Sequence, residues 1–134
     1  MDSGMCVRVG TDVESIADVA AALDRYGDRY ARRLFTEHEI ATCGGLSAAA
    51  APRYAARFAA KEAVMKLLSP IDSVPRWRSI EVRTAANGAP SIRLSDEAAA
   101  LARHQGLGPL SVSMSHGAGV GMATVVAMAP TDRG

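Results

Sequence analysis

The pattern of apolar and polar positions changes period along the chain. Met5, Val7 and Val9 alternate with Cys6 and Arg8, the two-residue rhythm of a short strand from Met5 to Val9. Gly10-Thr11-Asp12 is read as the end of that strand, which is expected to be buried and leaves Asp12 at its end. From Ser15 the rhythm lengthens. Ile16, Val19, Ala20, Leu23, Tyr30 and Leu34 recur at helical spacing and predict a helix to about Arg33, capped by Ser15 with Asp18 in the third position. Thr36-Glu37-His38-Glu39-Ile40 reads as a fresh N-cap and short helix. The Gly- and Ala-rich stretch from Cys43 to Pro52 is read as a loop. Pro52 then starts a second long helix, which runs to about Leu68 and is stopped by Ser69-Pro70.

In the second half, Ile80 and Val82 alternate with Glu81 and Arg83, predicting a strand from Ser79 to Thr84. Asn87-Gly88 marks a tight turn, and Ile92 and Leu94 belong to the returning strand. Ser95-Asp96-Glu97 opens a third helix that Gly106 closes. Leu110, Val112 and Met114 alternate with serines, and Met122 to Met128 is apolar on both faces, as a central strand is. There is no internal repeat and no regular βαβ alternation. The expected class is α+β, an antiparallel-type sheet packed against a long helix.

The chain has 134 residues, a length suited to one domain spanning 1–134. Hydrophobic residues make up 49% and charged residues 22%, proportions that exclude a disordered chain. Fifteen basic residues against 14 acidic ones give a net charge of +1, and aromatics are only 4%. That balance argues against nucleic acid and anionic membrane as partners. Cys6 and Cys43 have neither metal-ligand nor disulfide-framework spacing and are read as free thiols. The start lacks the pattern of a signal peptide, and no apolar run approaches the ~20 residues of a membrane span. The expected location is the cytoplasm.

Several residues are candidates for chemistry. Asp12 is either a turn residue or a ligand for a hard cation. Glu62 follows Phe58 by four residues, so its carboxylate shares a helix face with an apolar ring. It is paired with Lys66, bound to metal or neutralised. Arg57, Lys61 and Lys66 form a solvated basic face or a diphosphate site. Ser115 and His116 end a strand at a Gly-rich bend. Strand neighbours point to opposite faces, which rules out a serine-hydrolase pair and leaves a polar strand end or a phosphate contact. His38 and His104 are read as surface residues, and no second ligand stands at zinc spacing. Two carboxylates, a row of cations and a Ser-His end together suit a Mg²⁺-bridged diphosphate.

Four segments carry a resemblance that spans nearly the whole chain. They are Val9-Gly10-Thr11-Asp12, Arg57-Phe58-Ala59-Ala60-Lys61-Glu62-Ala63 with Lys66 one turn on, Asn87-Gly88-Ala89-Pro90, and Val112-Ser113-Met114-Ser115-His116. In these the chain resembles the holo-acyl-carrier-protein synthases, the small 4′-phosphopantetheinyl transferases. The resemblance implies transfer of the phosphopantetheine arm of coenzyme A to a serine of an apo carrier protein, with release of adenosine 3′,5′-bisphosphate. It implies Mg²⁺ on Asp12 and Glu62, with Lys66 neutralising phosphate charge. Arg57 and Lys61 would lie along the coenzyme A groove, Asn87, Gly88 and Pro90 would flank the nucleotide, and Ser115 and His116 would reach its phosphates. The serine proton would pass to Glu62 or to a metal-bound water. A homotrimer with sites between subunits is the expected assembly.

One position departs from the family. Six residues after Asp12, where members carry an Arg that receives the carrier's acidic helix, this chain has Asp18. Arg25, Arg29, Arg32 and Arg33 remain as a basic docking face. The exchange favours a polyketide or other specialised carrier over the fatty-acid carrier. The competing reading is a non-catalytic module that binds a carrier or nucleotide on the same fold.

Overall fold

Val120–Pro130 forms the middle strand of a three-stranded antiparallel sheet, as expected, with one face buried and the face of Met122 and Met128 exposed. The computed structural model describes residues 4–131. The three positions at each end of the expected 1–134 domain lie outside the described residues. In chain order the elements are β1 (Met5–Ser15), α1 (Ile16–Tyr26), α2 (Asp28–Leu34), α3 (Glu37–Cys43), α4 (Ala51–Leu68), β2 (Ile80–Thr84), β3 (Pro90–Leu94), α5 (Asp96–His104), β4 (Ser111–Gly117) and β5 (Val120–Pro130). The larger sheet has the order β1-β5-β4, and β2 and β3 form a separate antiparallel hairpin. The α+β class and the sheet packed on a long helix are as expected.

That long helix, α4, lies against β1 and β5 and presents Ala55, Ala56, Ala59, Ala60 and Ala63 among its buried residues. The alanines let it approach closely, and two glycines complete the fit. A Cβ on Gly121 would stand 2.5 Å from the Ala56 nitrogen. A Cβ on Gly10 would stand 2.0 Å from the Ala63 carbonyl oxygen. Above α4, Phe35 meets Tyr54 and Phe58 edge to face, and Phe58 meets Trp77 likewise. Below, Val64, Leu67, Leu68, Ile80 and Val125 are fully or almost fully buried.

Four expectations are corrected. First, β1 does not end at Gly10-Thr11-Asp12 but pairs with β5 as far as Ser15. Gly10 serves close packing, not a turn, so Asp12 lies within the strand. Second, the face of Met5, Val7 and Val9 is open, these residues being more than half exposed, while Cys6, Arg8, Gly10, Asp12 and Glu14 form the helix-facing side. Third, the helix read from Ser15 to Arg33 breaks at Gly27, whose φ of 51° no regular helix accommodates. Ser15 does cap α1, accepting from the Asp18 nitrogen. Fourth, the stretch from Cys43 to Pro52 holds a 3-10 turn at Ala48–Ala50 and the start of α4, with Cys43, Ala50 and Ala51 buried.

The short helix α3 carries the full capping box, Thr36 with Glu39. Among the described residues, no helix is long and apolar enough to cross a membrane.

Candidate active site

The close approach of β1 to α4 brings carboxylates from two elements together. Asp12 and Glu14 stand two apart on β1, so both point toward α4, where Glu62 sits beside Ala63. One carboxylate oxygen from each of the three lies within 4.8 Å of the others. Lys66, one turn beyond Glu62, does not pair with Glu62. Its Nζ donates to Asp12 Oδ1 at 2.9 Å and to the Thr11 carbonyl at 3.0 Å. Asp12 is largely buried, and its Oδ2 has no hydrogen-bond donor.

The electrostatics follow from that crowding. Burial pushes the Glu14 carboxyl up to about 8, helped by the neighbouring Asp12 and by the charge of Glu62. Glu62 is raised by burial and then by Asp12. Lys66 is held above the ordinary lysine value, first by its hydrogen bond to Asp12. A cluster of hard oxygens with an unpartnered buried Oδ2 fits a small divalent cation. Asp12, Glu62 and Lys66 are thus brought together as the sequence suggested. Glu14 was missed because the strand was ended too early; the alternation of Asp12 and Glu14 about Val13 was the available signal.

The other candidates divide. Lys61 does not line an open groove. It is fully buried, and Nζ pairs with the fully buried Glu39 at 2.8 Å and donates to the Trp77 and Ile80 carbonyls. Glu39 also accepts from the Val82 and Thr36 backbone nitrogens, so the pair ties α3, α4 and β2 together. The sequence offered a cation on a helix but not its depth. Burial pulls the ammonium below the usual lysine value, against the pull of Glu39.

Arg57 is mostly buried and reaches Thr84 Oγ1 at 3.3 Å, which places it at the base of the β2–β3 hairpin. At the tip of that hairpin Asn87 Oδ1 accepts from the Ala89 nitrogen, Gly88 adopts φ 88°, and Pro90 begins β3. Ser115 pairs with Met122 and His116 with Gly121, so the two lie on opposite faces of β4. Gly121 also pairs with Glu14, which puts His116 on the carboxylate side, two strand spacings or about 10 Å across the sheet. Of the basic face, Arg32 is tied to Asp28 and Glu37. Arg25 and Arg29 stack over Tyr26, and these two and Arg33 form no ion pair among the described residues.

Comparison with known proteins gives one consistent family. A family model described as the 4′-phosphopantetheinyl transferase superfamily matches residues 8–120. A holo-acyl-carrier-protein synthase of Solibacter usitatus is 37% identical over 123 residues, covering 91% of this chain and 98% of the relative. The solved acyl carrier protein synthase of Mycobacterium tuberculosis superposes with a TM-score of 0.73 at 33% identity, over 95% of this chain and all of that one. The Chronobacterium ammoniagenes ACPS–CoA complex superposes with a TM-score of 0.80 at 25% identity, over 95% and 99% of the two chains.

Proposed function

This chain belongs to the 4′-phosphopantetheinyl transferase superfamily, and from that premise we propose how its own residues carry the reaction. The activity is that of a holo-acyl-carrier-protein synthase: the phosphopantetheine arm of coenzyme A is moved to an apo acyl carrier protein. Asp12 and Glu62 would hold Mg²⁺. When bound, the ion neutralises the diphosphate and polarises its phosphorus–oxygen bonds. Lys66, anchored by Asp12, supplies a fixed positive charge beside the reacting phosphate. The serine hydroxyl attacks the phosphorus that bears the pantetheine, its proton passes to Glu62, and the bond to adenosine 3′,5′-bisphosphate breaks to release that nucleotide. The observation that carries this reading is the meeting of Asp12, Glu62 and the Lys66 ammonium at one point between β1 and α4.

Arg57, Asn87, Gly88 and Pro90 flank the nucleotide, and His116 contacts phosphate from the carboxylate side of the sheet. Lys61 has no such role. Ser115 belongs to the opposite face, with the exposed apolar residues Met5, Val7, Val9, Val13, Met122 and Met128. An apolar sheet face of that extent supports packing against further copies of the chain, a homotrimer. Arg25, Arg29 and Arg33 receive the carrier. The exposed Asp18 at the start of α1 favours a polyketide or specialised carrier over the fatty-acid one. The chain acts as one domain, residues 1–134, in the cytoplasm.

Mass spectrometry of apo carriers of both kinds, incubated with coenzyme A and Mg²⁺, tests the reading. Asp12→Ala is expected to abolish transfer in a folded protein, and near wild-type turnover would refute the ligand assignment. Equal rates on the two carriers would remove the argument from Asp18.

A further inference from the structure

We propose that Arg78 is a specificity-determining contact for the carrier, because the docking face does not end at α2 but continues past Trp77 into a second pocket. There Arg33 and Arg78 take an acidic side chain of the carrier. This rests on the reading above, in which Arg25, Arg29 and Arg33 receive the carrier.

Two pockets lie side by side on this flank. One, of about 730 Å³, has Tyr26, Arg29, Tyr30, Arg33, Leu34 and Trp77 in its lining. The other, of about 540 Å³, has Arg33, Thr36, Arg76, Trp77, Arg78 and Asp96. Arg33 and Trp77 belong to both, so the pockets adjoin and make one trough. Its middle is held in place. Trp77 opens the 3-10 turn Trp77–Ser79, and its ring meets Phe58 edge to face at 5.2 Å. The buried Ser79 donates its hydroxyl to the Arg76 carbonyl at 2.6 Å. Arg78 is itself exposed but stands on this pinned turn.

The trough leads to the reacting centre. Phe58 precedes Glu62 by four residues on α4, about 6 Å along the helix axis. In the first pocket, Tyr30 feels the charge of Glu14. A protein seated in the trough therefore lies beside the carboxylates.

Charge selects the occupant. The second pocket sets three guanidinium groups against the single carboxylate of Asp96. Arg76 is held by Glu97 at 2.6 Å and stands 3.6 Å from Asp96. Arg33 and Arg78 form no ion pair among the described residues and are both exposed. The start of α1, by contrast, carries the exposed Asp18. The positive part of the face is thus displaced from the start of α1 toward Arg33 and Arg78, and an acidic partner gains most there.

The test is steady-state transfer by the full-length protein at saturating coenzyme A and Mg²⁺, varying whichever of the two carriers named above wild type modifies. Arg78→Glu should raise KM for the carrier by roughly tenfold or more, while kcat and KM for coenzyme A stay within about twofold of wild type. Arg78→Ala should give a smaller rise, and it decides if Arg78→Glu does not fold. Arg103→Glu, at the far end of α5 and outside the trough, makes the same change in net charge and should leave KM for the carrier unchanged. A wild-type KM for the carrier in the Arg78 variants would overturn the proposal, as would an equal rise in Arg103→Glu. A raised KM for coenzyme A in place of the carrier would also overturn it and make the pocket a nucleotide contact. Each of these leaves the reading above standing, whereas a wild-type protein that modifies neither carrier would overturn both.

Discussion

Gly10 on β1 faces Ala63 on α4 so closely that a methyl group at residue 10 would lie 2.0 Å from the Ala63 carbonyl oxygen. The partner atom is backbone and cannot rotate away. Gly10→Ala should therefore force the strand and helix apart, at a cost of roughly 3 kcal/mol, the upper part of the range for overpacking. Asp12 lies two residues beyond Gly10, and Glu62 precedes Ala63. Urea unfolding should show the loss of stability, and the folded fraction should transfer phosphopantetheine more slowly than wild type.

Lys61 and Glu39 form a fully buried pair, so removing one partner strands the other. Lys61→Met is expected to cost about 3–5 kcal/mol. Adding Glu39→Gln should recover part of that loss, because the amide oxygen still accepts from the Val82 or Thr36 nitrogen. At temperatures where the variant is folded, its KM for coenzyme A should match wild type; a raised KM would return Lys61 to the nucleotide groove.

Cys43 is buried at the end of α3, and burial pushes its thiol up to about 11 from 9.0. The folded state thus favours the protonated thiol. That contribution is complete below pH 9 and is lost as pH rises from 9 through 11. Tyr30 and Tyr54, each raised to about 12 chiefly by burial, extend the decline further. Chemical denaturation against pH should show falling stability above pH 9, with a shallower fall between 9 and 11 in Cys43→Ala. At pH 8 a thiol reagent should modify Cys6 and leave Cys43 intact until the protein unfolds.

Val7 and Val9 stand more than 60% exposed on the open sheet face. If copies of the chain meet there, Val7→Asp with Val9→Asp should give monomers by light scattering, because paired carboxylates resist burial. The wild-type protein should run as a trimer. A wild-type monomer would end the assembly proposal without touching the carboxylate site.

Much of this was legible in the sequence where local pattern and tertiary role agree. The alternation in β2 and β4, the apolar run of β5, the Asn87-Gly88 turn and the Thr36 N-cap all depend on neighbours a few residues away. The misreadings arose where a residue type has two physical uses. Gly10 looks like a terminator, yet it serves helix contact, and ending β1 there hid Glu14. Gly27, within an apolar helical rhythm, breaks the helix because its φ is positive. Lys61 carries the same charge as Lys66, but one faces the core and the other the carboxylates, a difference fixed by the packing of α3 and β2 against α4. Arg32 looked available for docking until the fold supplied Asp28 and Glu37 as partners.

On β1, even-numbered positions face α4 and include the two acids, while odd-numbered Met5, Val7, Val9 and Val13 lie on the open face. The strand therefore behaves like a reading frame. Inserting or deleting a single residue between Arg8 and Asp12 would invert the two sets downstream, turning the acids outward and the valine inward. Length in this segment should be more tightly constrained than identity, and recombination or loop grafting that begins here has to preserve parity.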